Sequence, residues 1–356
     1  MVNNSRGWGG AEELMLSLST ELRARGRFVG IFLREGGAPA EKLSKIDFPV
    51  WAAKRNAVNY LIYILKLAKV VRREKIDLIH LHRIHDVPVA FFAGLAAGGV
   101  PLLLTQHTHI GKANYLMTKM VNRVAAVSGY IEKGILKRFS HMKDKIVVVH
   151  NGTQIMDYSE IEPDYWLKRS GLDAEGPFLG TVGFFYKKQE ELIDLLPSIR
   201  SVFPSVLLII IGEGTNHQKS ILEEKVASLG MKKSVYFAGQ IPHDEMHKAL
   251  GALDLNLSAY KREPFGLHVI EGMVSGTPFV GYQAGGFPEI VEHGRSGYLA
   301  ESREELLESV ISVLQDRKRL HSMSKNGRER VERKFSIQEM VTKYESIYSE
   351  LVGGPE

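Results

Sequence analysis

The sequence predicts an α/β protein built from two Rossmann-like domains, and three observations carry that expectation. The chain has 356 residues, more than one ordinary core takes, and this length points to two domains. Short apolar runs ending in glycine or polar residues alternate with helical patterns along the whole chain, which is the rhythm of a doubly wound sheet. Right-handed crossovers then make each sheet parallel. The expected division is residues 1–160 for the first domain and residues 161–335 for the second.

Composition narrows the function classes. A chain with 44% hydrophobic and 24% charged residues reads as soluble and globular. No run approaches the roughly 18 apolar residues of a membrane span, and no signal peptide opens the sequence, so the expected location is cytoplasmic. The absence of cysteine excludes disulfides, thiolate nucleophiles and cysteine-ligated metals. The net charge of +5 is unevenly spread: residues 1–160 hold 23 Lys and Arg against 13 Asp and Glu, a balance of +10, which leaves −5 for the rest. Such a basic first half suits an anionic membrane surface or a phosphate-bearing acceptor, and equally a solvated basic face.

Taken in order, the chain opens with Ser5-Arg6-Gly7-Trp8-Gly9-Gly10-Ala11-Glu12, which leads into the helical pattern Leu14, Leu16, Leu18, Leu22. Glycines before a helix leave backbone amides for an anion. Only Met1-Val2-Asn3 precede that loop, so the first strand is expected to be nearly absent, or the true start to lie upstream. Val29 to Leu33 reads as a buried strand, and Asn59 to Arg73 as a helix with Tyr60, Ile64, Leu67 and Val71 set against Lys66, Lys69, Arg72 and Arg73. That basic amphipathic helix fits either a sheet face or a membrane surface. Ile76–His82 and Val100–His107 read as strands whose carboxyl ends carry His80, His82 and His107, with His109 just beyond. Sites of open α/β sheets sit at such ends. Zinc binding by these histidines lacks a supporting acidic pattern.

Arg123 to Ser128 and Ile146 to Gly152 are two more strands, and Asp157 to Gly176 is polar enough to read as the linker. The second domain repeats the rhythm with Phe178 to Gly183, Val206 to Gly214, Val235 to Gly239 and Leu253 to Ser258. Gly212-Glu213-Gly214 lacks the third glycine of a dinucleotide fingerprint, since position 217 is His. Next comes the most informative stretch. Pro264 and Gly266 fix a turn after Glu263, and the apolar run Leu267 to Val274 reads as a short buried helix carrying Glu271. Helix amides at that mouth suit sugar hydroxyls and phosphate oxygens, and two carboxylates about 6 Å apart along the axis bracket a polyol. Gly285-Gly286-Phe287-Pro288-Glu289 is a further glycine turn at a helix start, and Phe335 to Leu351 is amphipathic.

Glu263 through Glu271, with Gly276-Thr277-Pro278 behind them, resemble the E-x7-E signature of family 4 retaining glycosyltransferases, and the resemblance covers nearly the whole chain. It implies the GT-B arrangement of two Rossmann-like domains facing across a cleft, with a nucleotide sugar on the second domain, the acceptor on the first, and residues 336–356 as a helix crossing back. It assigns ribose binding to Glu271, a sugar hydroxyl to Glu263, and sugar contacts to the backbone of Pro264, Phe265, Gly266 and Leu267. His107 falls where the family keeps a histidine beside the C6 hydroxyl, with His109 in reserve. Gly9 and Gly10 resemble the loop that approaches the donor phosphates, and Gly212 and Gly214 the turn under the base. After Gly183 the pattern expects an arginine and then a lysine gripping the diphosphate; here Phe184 takes the arginine position, Lys187 or Lys188 the lysine, and Arg6 is the spare cation.

The implied reaction is hexosyl transfer from a nucleoside-diphosphate sugar, a UDP-sugar such as UDP-glucose, to a carbohydrate or lipid-linked hydroxyl in polysaccharide or glycolipid assembly. No cofactor is expected beyond that co-substrate, and no metal, since Asp254-Leu255-Asn256 lacks a second carboxylate. No nucleic acid partner is expected, and the location is cytoplasmic, with peripheral membrane contact through the basic domain. Two alternatives stand beside it: a nucleotide-sugar epimerase, and a catalytically weakened nucleotide-sugar-binding subunit, the latter encouraged by Phe184.

Overall fold

The computed structural model describes residues 1–43, 48–56, 58–155, 161–171 and 175–353. These fall into two compact units, one of Met1–Gly152 together with Ile337–Glu356, the other of Thr153–Ser336. The chain leaves the first unit after Gly152 and returns to it at Ile337. The boundary expected after residue 160 adjoins residues 156–160, which lie outside the described residues.

The strands of the first unit are β1 (Val2–Asn3), β2 (Ile31–Arg34), β3 (Val50–Ala53), β4 (Ile79–Leu81), β5 (Leu102–Gln106), β6 (Arg123–Ala126) and β7 (Ile146–Val148). Among the described residues they make one parallel sheet in the order β3-β2-β1-β4-β5-β6-β7. The near-absent first strand is a two-residue strand at the centre, where Val2 pairs with Phe32 on one side and Leu81 on the other. On β4, Ile79 borders Gly94 of the helix Val87–Ala96, and the next residue, His80, reaches Tyr348 of the helix Ile337–Val352. Side chains alternate along a strand, so these two helices cover opposite faces. The helix Ile337–Val352 packs against the helix Gly10–Ala24 and is tied to its end by Arg25, which lies 3.0 Å from Glu345.

The second unit holds β8 (Phe178–Val182), β9 (Leu207–Ile211), β10 (Val235–Gly239), β11 (Leu255–Ser258), β12 (Phe279–Tyr282) and β13 (Gly297–Ala300), again parallel, in the order β10-β9-β8-β11-β12-β13. The apolar run of β9 is buried on both faces. Leu207, Ile209 and Ile211 meet Trp166, Leu250 and Leu253, while Leu208 and Ile210 meet Ile193, Leu196 and Leu222. Continuous rather than alternating hydrophobicity is what a strand covered on both sides requires.

The stretch read as a linker needs correction. Its residues 157–160 and 172–174 lie outside the described residues, but between them Tyr165–Ser170 is a helix whose Trp166 is fully buried and donates from Nε1 to the Ala249 carbonyl at 2.8 Å. A helix of under two turns is too short to show a period in sequence.

In both sheets the order reverses once, between β1 and β4 in the first and between β8 and β11 in the second. A crevice opens at the carboxyl ends of strands at such a point, and ligands of open α/β sheets bind there.

Candidate active site

In the second unit every glycine turn singled out in the sequence follows a strand at that carboxyl end. Gly183 comes directly after β8 with φ of +144°, and Gly212 directly after β9 with φ of +130°. A side chain at Gly212 would fall on the Gly183 carbonyl, so the two loops touch backbone to backbone. The Phe185 amide then donates to the Glu213 carbonyl at 3.0 Å. Lys187 Nζ lies 2.8 Å from Glu263 Oε2, with both side chains largely buried. The Gly286 amide donates to the Glu263 carbonyl at 2.8 Å, and a Cβ on Gly285 would stand 2.5 Å from that same oxygen. Four loops are thus joined in series at one end of the sheet, and Glu263 is the link between two of them.

The structure separates the two candidate lysines. Lys187 turns inward to Glu263, whereas Lys188 sits in the left-handed region at φ +66° and points out to Glu190 at 3.1 Å. Phe184 is 48% exposed and stacks on Tyr186 with ring centroids 5.8 Å apart, so an apolar surface stands where the resemblance expects a guanidinium. Buried Gln189 donates to the Phe184 carbonyl at 3.0 Å and fixes that loop from beneath.

The helix Leu267–Val274 starts after Gly266, whose φ of +115° suits glycine, and it ends at Gly276, where the Thr277 amide bonds back to the Gly272 carbonyl at 2.8 Å. Its Val269, Ile270, Met273 and Val274 are buried, which holds the helix start rigid at the loop cluster. The first amides of a helix have no carbonyl within it to bond. Glu263 precedes this helix and half-buried Glu271 lies one turn inside it. Behind them, burial and then the Lys187 charge push the His268 imidazole down to about 3.

In the first unit the glycine loop differs from expectation. Gly9 is extended, and its amide donates to Glu12 Oε2 at 3.1 Å, while Glu12 Oε1 accepts from Asn3 Nδ2 at 3.3 Å. A carboxylate therefore already occupies the start of the helix that Gly10 opens, which favours hydroxyls over phosphate at this loop. Arg6 is exposed, and its carbonyl accepts from the Ala38 amide at 3.1 Å.

The histidines form a stack. His80 and His82 rings lie 4.6 Å apart and His82 and His107 rings 5.6 Å apart, with His82 Nδ1 3.3 Å from His107 Nε2. His80 also bonds Thr105 at 2.7 Å and Tyr348 at 2.8 Å, and Thr105 bonds Tyr344 at 2.7 Å. Burial pushes half-buried His107 down to about 4 and holds His80 and His82 well below the usual imidazole range, with the neighbouring rings adding to the effect. His107 is therefore a neutral hydrogen-bonding group. His82 Nε2 is buried with no partner among the described residues, and an orphaned N–H is rarer than an orphaned lone pair. This favours the tautomers in which His82 Nδ1 donates to His107 Nε2 and His107 keeps its own proton on Nδ1. His109 stands apart, edge-on to Tyr130 at 4.8 Å. Among the described residues no group of three His, Asp or Glu is placed to hold a metal ion.

Sequence reasoning missed Asp86. Its carboxylate, 1% exposed, holds Arg55 at 2.6 Å and the Asn4 amide at 3.2 Å, beside the β1 carboxyl end. The only sequence signal was an acidic residue just ahead of Val87-Pro88 at a helix start. A cavity of about 410 Å³ lined by Val29, Leu67, Leu78 and Val352 opens at the amino-terminal end of the same sheet, and His80 and Tyr348 also border it.

The profile of the family "Glycosyl transferases group 1" matches residues 166–330, and that of "Glycosyltransferase Family 4" matches residues 8–155. The chain is a glycosyltransferase. This glycosyltransferase has the GT-B fold and is a hexosyltransferase. It is 27% identical over 305 residues to N-acetyl-alpha-D-glucosaminyl L-malate synthase of Bacillus anthracis, covering 81% of this chain and 78% of that one. It is 26% identical over 261 residues to the lipopolysaccharide core biosynthesis mannosyltransferase LpsB of Rhizobium meliloti, covering 70% and 71%. Anabaena Alr3699/HepE, crystallised with UDP, shares the fold at a TM-score of 0.85 and 21% identity over 98% of both chains. Another crystal structure of that protein is a complex with UDP-glucose.

Proposed function

We propose that this glycosyltransferase moves a hexosyl group from a UDP-sugar, UDP-glucose first among them, to a hydroxyl acceptor with retention at the anomeric carbon. The acceptor is a carbohydrate or lipid-linked compound in polysaccharide or glycolipid assembly. The observation that carries this reading is the Lys187–Glu263 pair at 2.8 Å, set among four glycine loops at the head of the helix Leu267–Val274. Lys187 meets the donor diphosphate, the helix-start amides and Glu263 meet the sugar, and Glu271 takes the ribose hydroxyls. Because Glu263 is engaged by Lys187, it serves as a hydroxyl acceptor and a lysine anchor rather than as the nucleophile of a double displacement. The bond from the anomeric carbon to the diphosphate breaks, the bond to the acceptor oxygen forms on the same face, and the acceptor proton passes to the leaving diphosphate. Positioning and charge stabilisation then supply most of the rate. The complexes of Anabaena Alr3699/HepE with UDP and UDP-glucose support the choice of donor.

The test is to measure nucleotide release from UDP-glucose, UDP-N-acetylglucosamine and GDP-mannose over a panel of sugar and lipid-linked acceptors, with the product anomer read by proton NMR. An α-linked product from an α-linked donor is expected, and a β-linked one overturns retention. Turnover is also expected to survive EDTA, since an ammonium group and backbone amides neutralise the diphosphate; loss with EDTA and recovery with manganese would show a metal requirement. Phe184 favours a second reading, a weakened nucleotide-sugar-binding subunit, for which tight UDP binding without turnover on any acceptor is the signature. Under the first reading Phe184→Arg raises turnover.

A further inference from the structure

We propose that the first unit docks on an anionic membrane surface through the helices Tyr60–Arg73, Val87–Ala96 and Tyr115–Met120. The three pack in sequence, the second against both others, on the sheet face opposite the helix Ile337–Val352. The first of them already has the apolar stripe its fold needs, since Tyr63, Ile64, Leu67 and Val71 are buried. Yet Leu61 and Leu65, one turn apart, are 73% and 64% exposed. The helices packed beside it expose Phe92, Leu95 and Leu116 as well, at 46%, 62% and 70%. Single apolar residues on a surface are ordinary, whereas a patch spread over adjoining helices marks an interaction site.

Charge selects the occupant. No Asp or Glu occurs in residues 48–73 or in residues 87–131, while Lys66, Lys69, Arg72, Lys112 and Lys119 are exposed on these helices and the loop beside them. At the rim Arg73 pairs with Glu74 at 2.6 Å. A second copy of this chain would bring two basic faces together, which is repulsive, whereas anionic headgroups attract lysine and arginine and admit leucine and phenylalanine beneath them. Among the described residues no helix is long and apolar enough to cross a membrane, so the helices lie on the surface. The proposal is independent of which donor the enzyme uses.

The experiment is flotation of the full chain with phosphatidylcholine vesicles, with and without phosphatidylglycerol, alongside sedimentation velocity without lipid. Binding is expected only to the anionic vesicles and to weaken with salt. Lys66→Gln with Lys69→Gln should lower partitioning roughly 25-fold, about five-fold per charge. Leu65→Gln with Phe92→Gln should lower it about ten-fold or more. All four sites are exposed, so UDP affinity and the thermal midpoint should stay as in the parent, and each variant is checked on both. Equal or absent binding to the two vesicle types overturns the proposal. A dimer in sedimentation that the Leu65→Gln, Phe92→Gln change dissociates overturns it too, and gives the face to a second copy.

Discussion

At Glu271 a single carboxylate is assigned both ribose hydroxyls of the nucleotide. Charged hydrogen bonds are worth roughly 1.5–3 kcal/mol, so Glu271→Ala should weaken nucleotide binding about 10- to 100-fold with the fold intact. Calorimetry with UDP, GDP and ADP checks this, and unchanged affinities would remove Glu271 from the site. His107 carries a different expectation, because its role depends on which nitrogen holds the proton. Nitrogen NMR of the labelled protein at neutral pH should show His107 protonated at Nδ1 and His82 also at Nδ1; the reverse pattern would mean that His107 donates to His82. The places of Glu263 ahead of a helix, Glu271 one turn inside it and His107 at a strand end were legible in the sequence, because Pro264, Gly266 and the apolar runs mark those elements. That Lys187 turns towards Glu263 and Lys188 towards Glu190 was not, since it depends on one left-handed backbone angle at Lys188.

Among the elements, the glycine turns are the parts that tolerate least change. Gly212→Ala would press a methyl group into the Gly183 carbonyl at a positive φ, a strain of more than about 2 kcal/mol, and should lower both the thermal midpoint and UDP affinity. Gly294 is the control: its φ is +76° but nothing lies within 4 Å of an added Cβ, so Gly294→Ala should cost about 1–2 kcal/mol and leave UDP binding alone. Equal losses of UDP affinity in the two variants would show that contact between the loops does not shape the site. Strand β9 was legible because its apolar run is unbroken, and β5, β8 and the helix Leu267–Val274 because apolar residues are bounded by glycine, proline or polar turn residues. Strands β3, β12 and β13 were not, since four residues broken by glycine or flanked by polar groups carry no period. Strand order was equally invisible, because pairing partners are set by crossovers and not by local pattern.

For the molecule as a whole, buried imidazoles tie stability to pH. The unfolded chain takes a proton on each histidine near pH 6.5, whereas folded His107 resists to about 4 and His268 to about 3. Between those values the unfolded state binds more protons, so stability is full above about pH 6.5 and falls as pH is lowered, by up to about 1.4 kcal/mol per pH unit for each such group. Urea denaturation at pH 7.5, 6 and 5 should show that fall, and His268→Gln should flatten it; a constant free energy over the range would mean that these rings carry charge in the folded protein. The helix Ile337–Val352 bears on a different matter, the order of events during synthesis. Tyr344 and Tyr348 complete the buried hydrogen bonds of His80 and Thr105 in the first unit, yet the ribosome reaches them only after the whole of Thr153–Ser336. At roughly 5–20 residues per second that interval is on the order of ten seconds or more. Throughout it one face of the β4–β5 centre lacks its cover, so the portion made first is finished last, and the nascent chain is most open to chaperones on the side that the returning helix later closes.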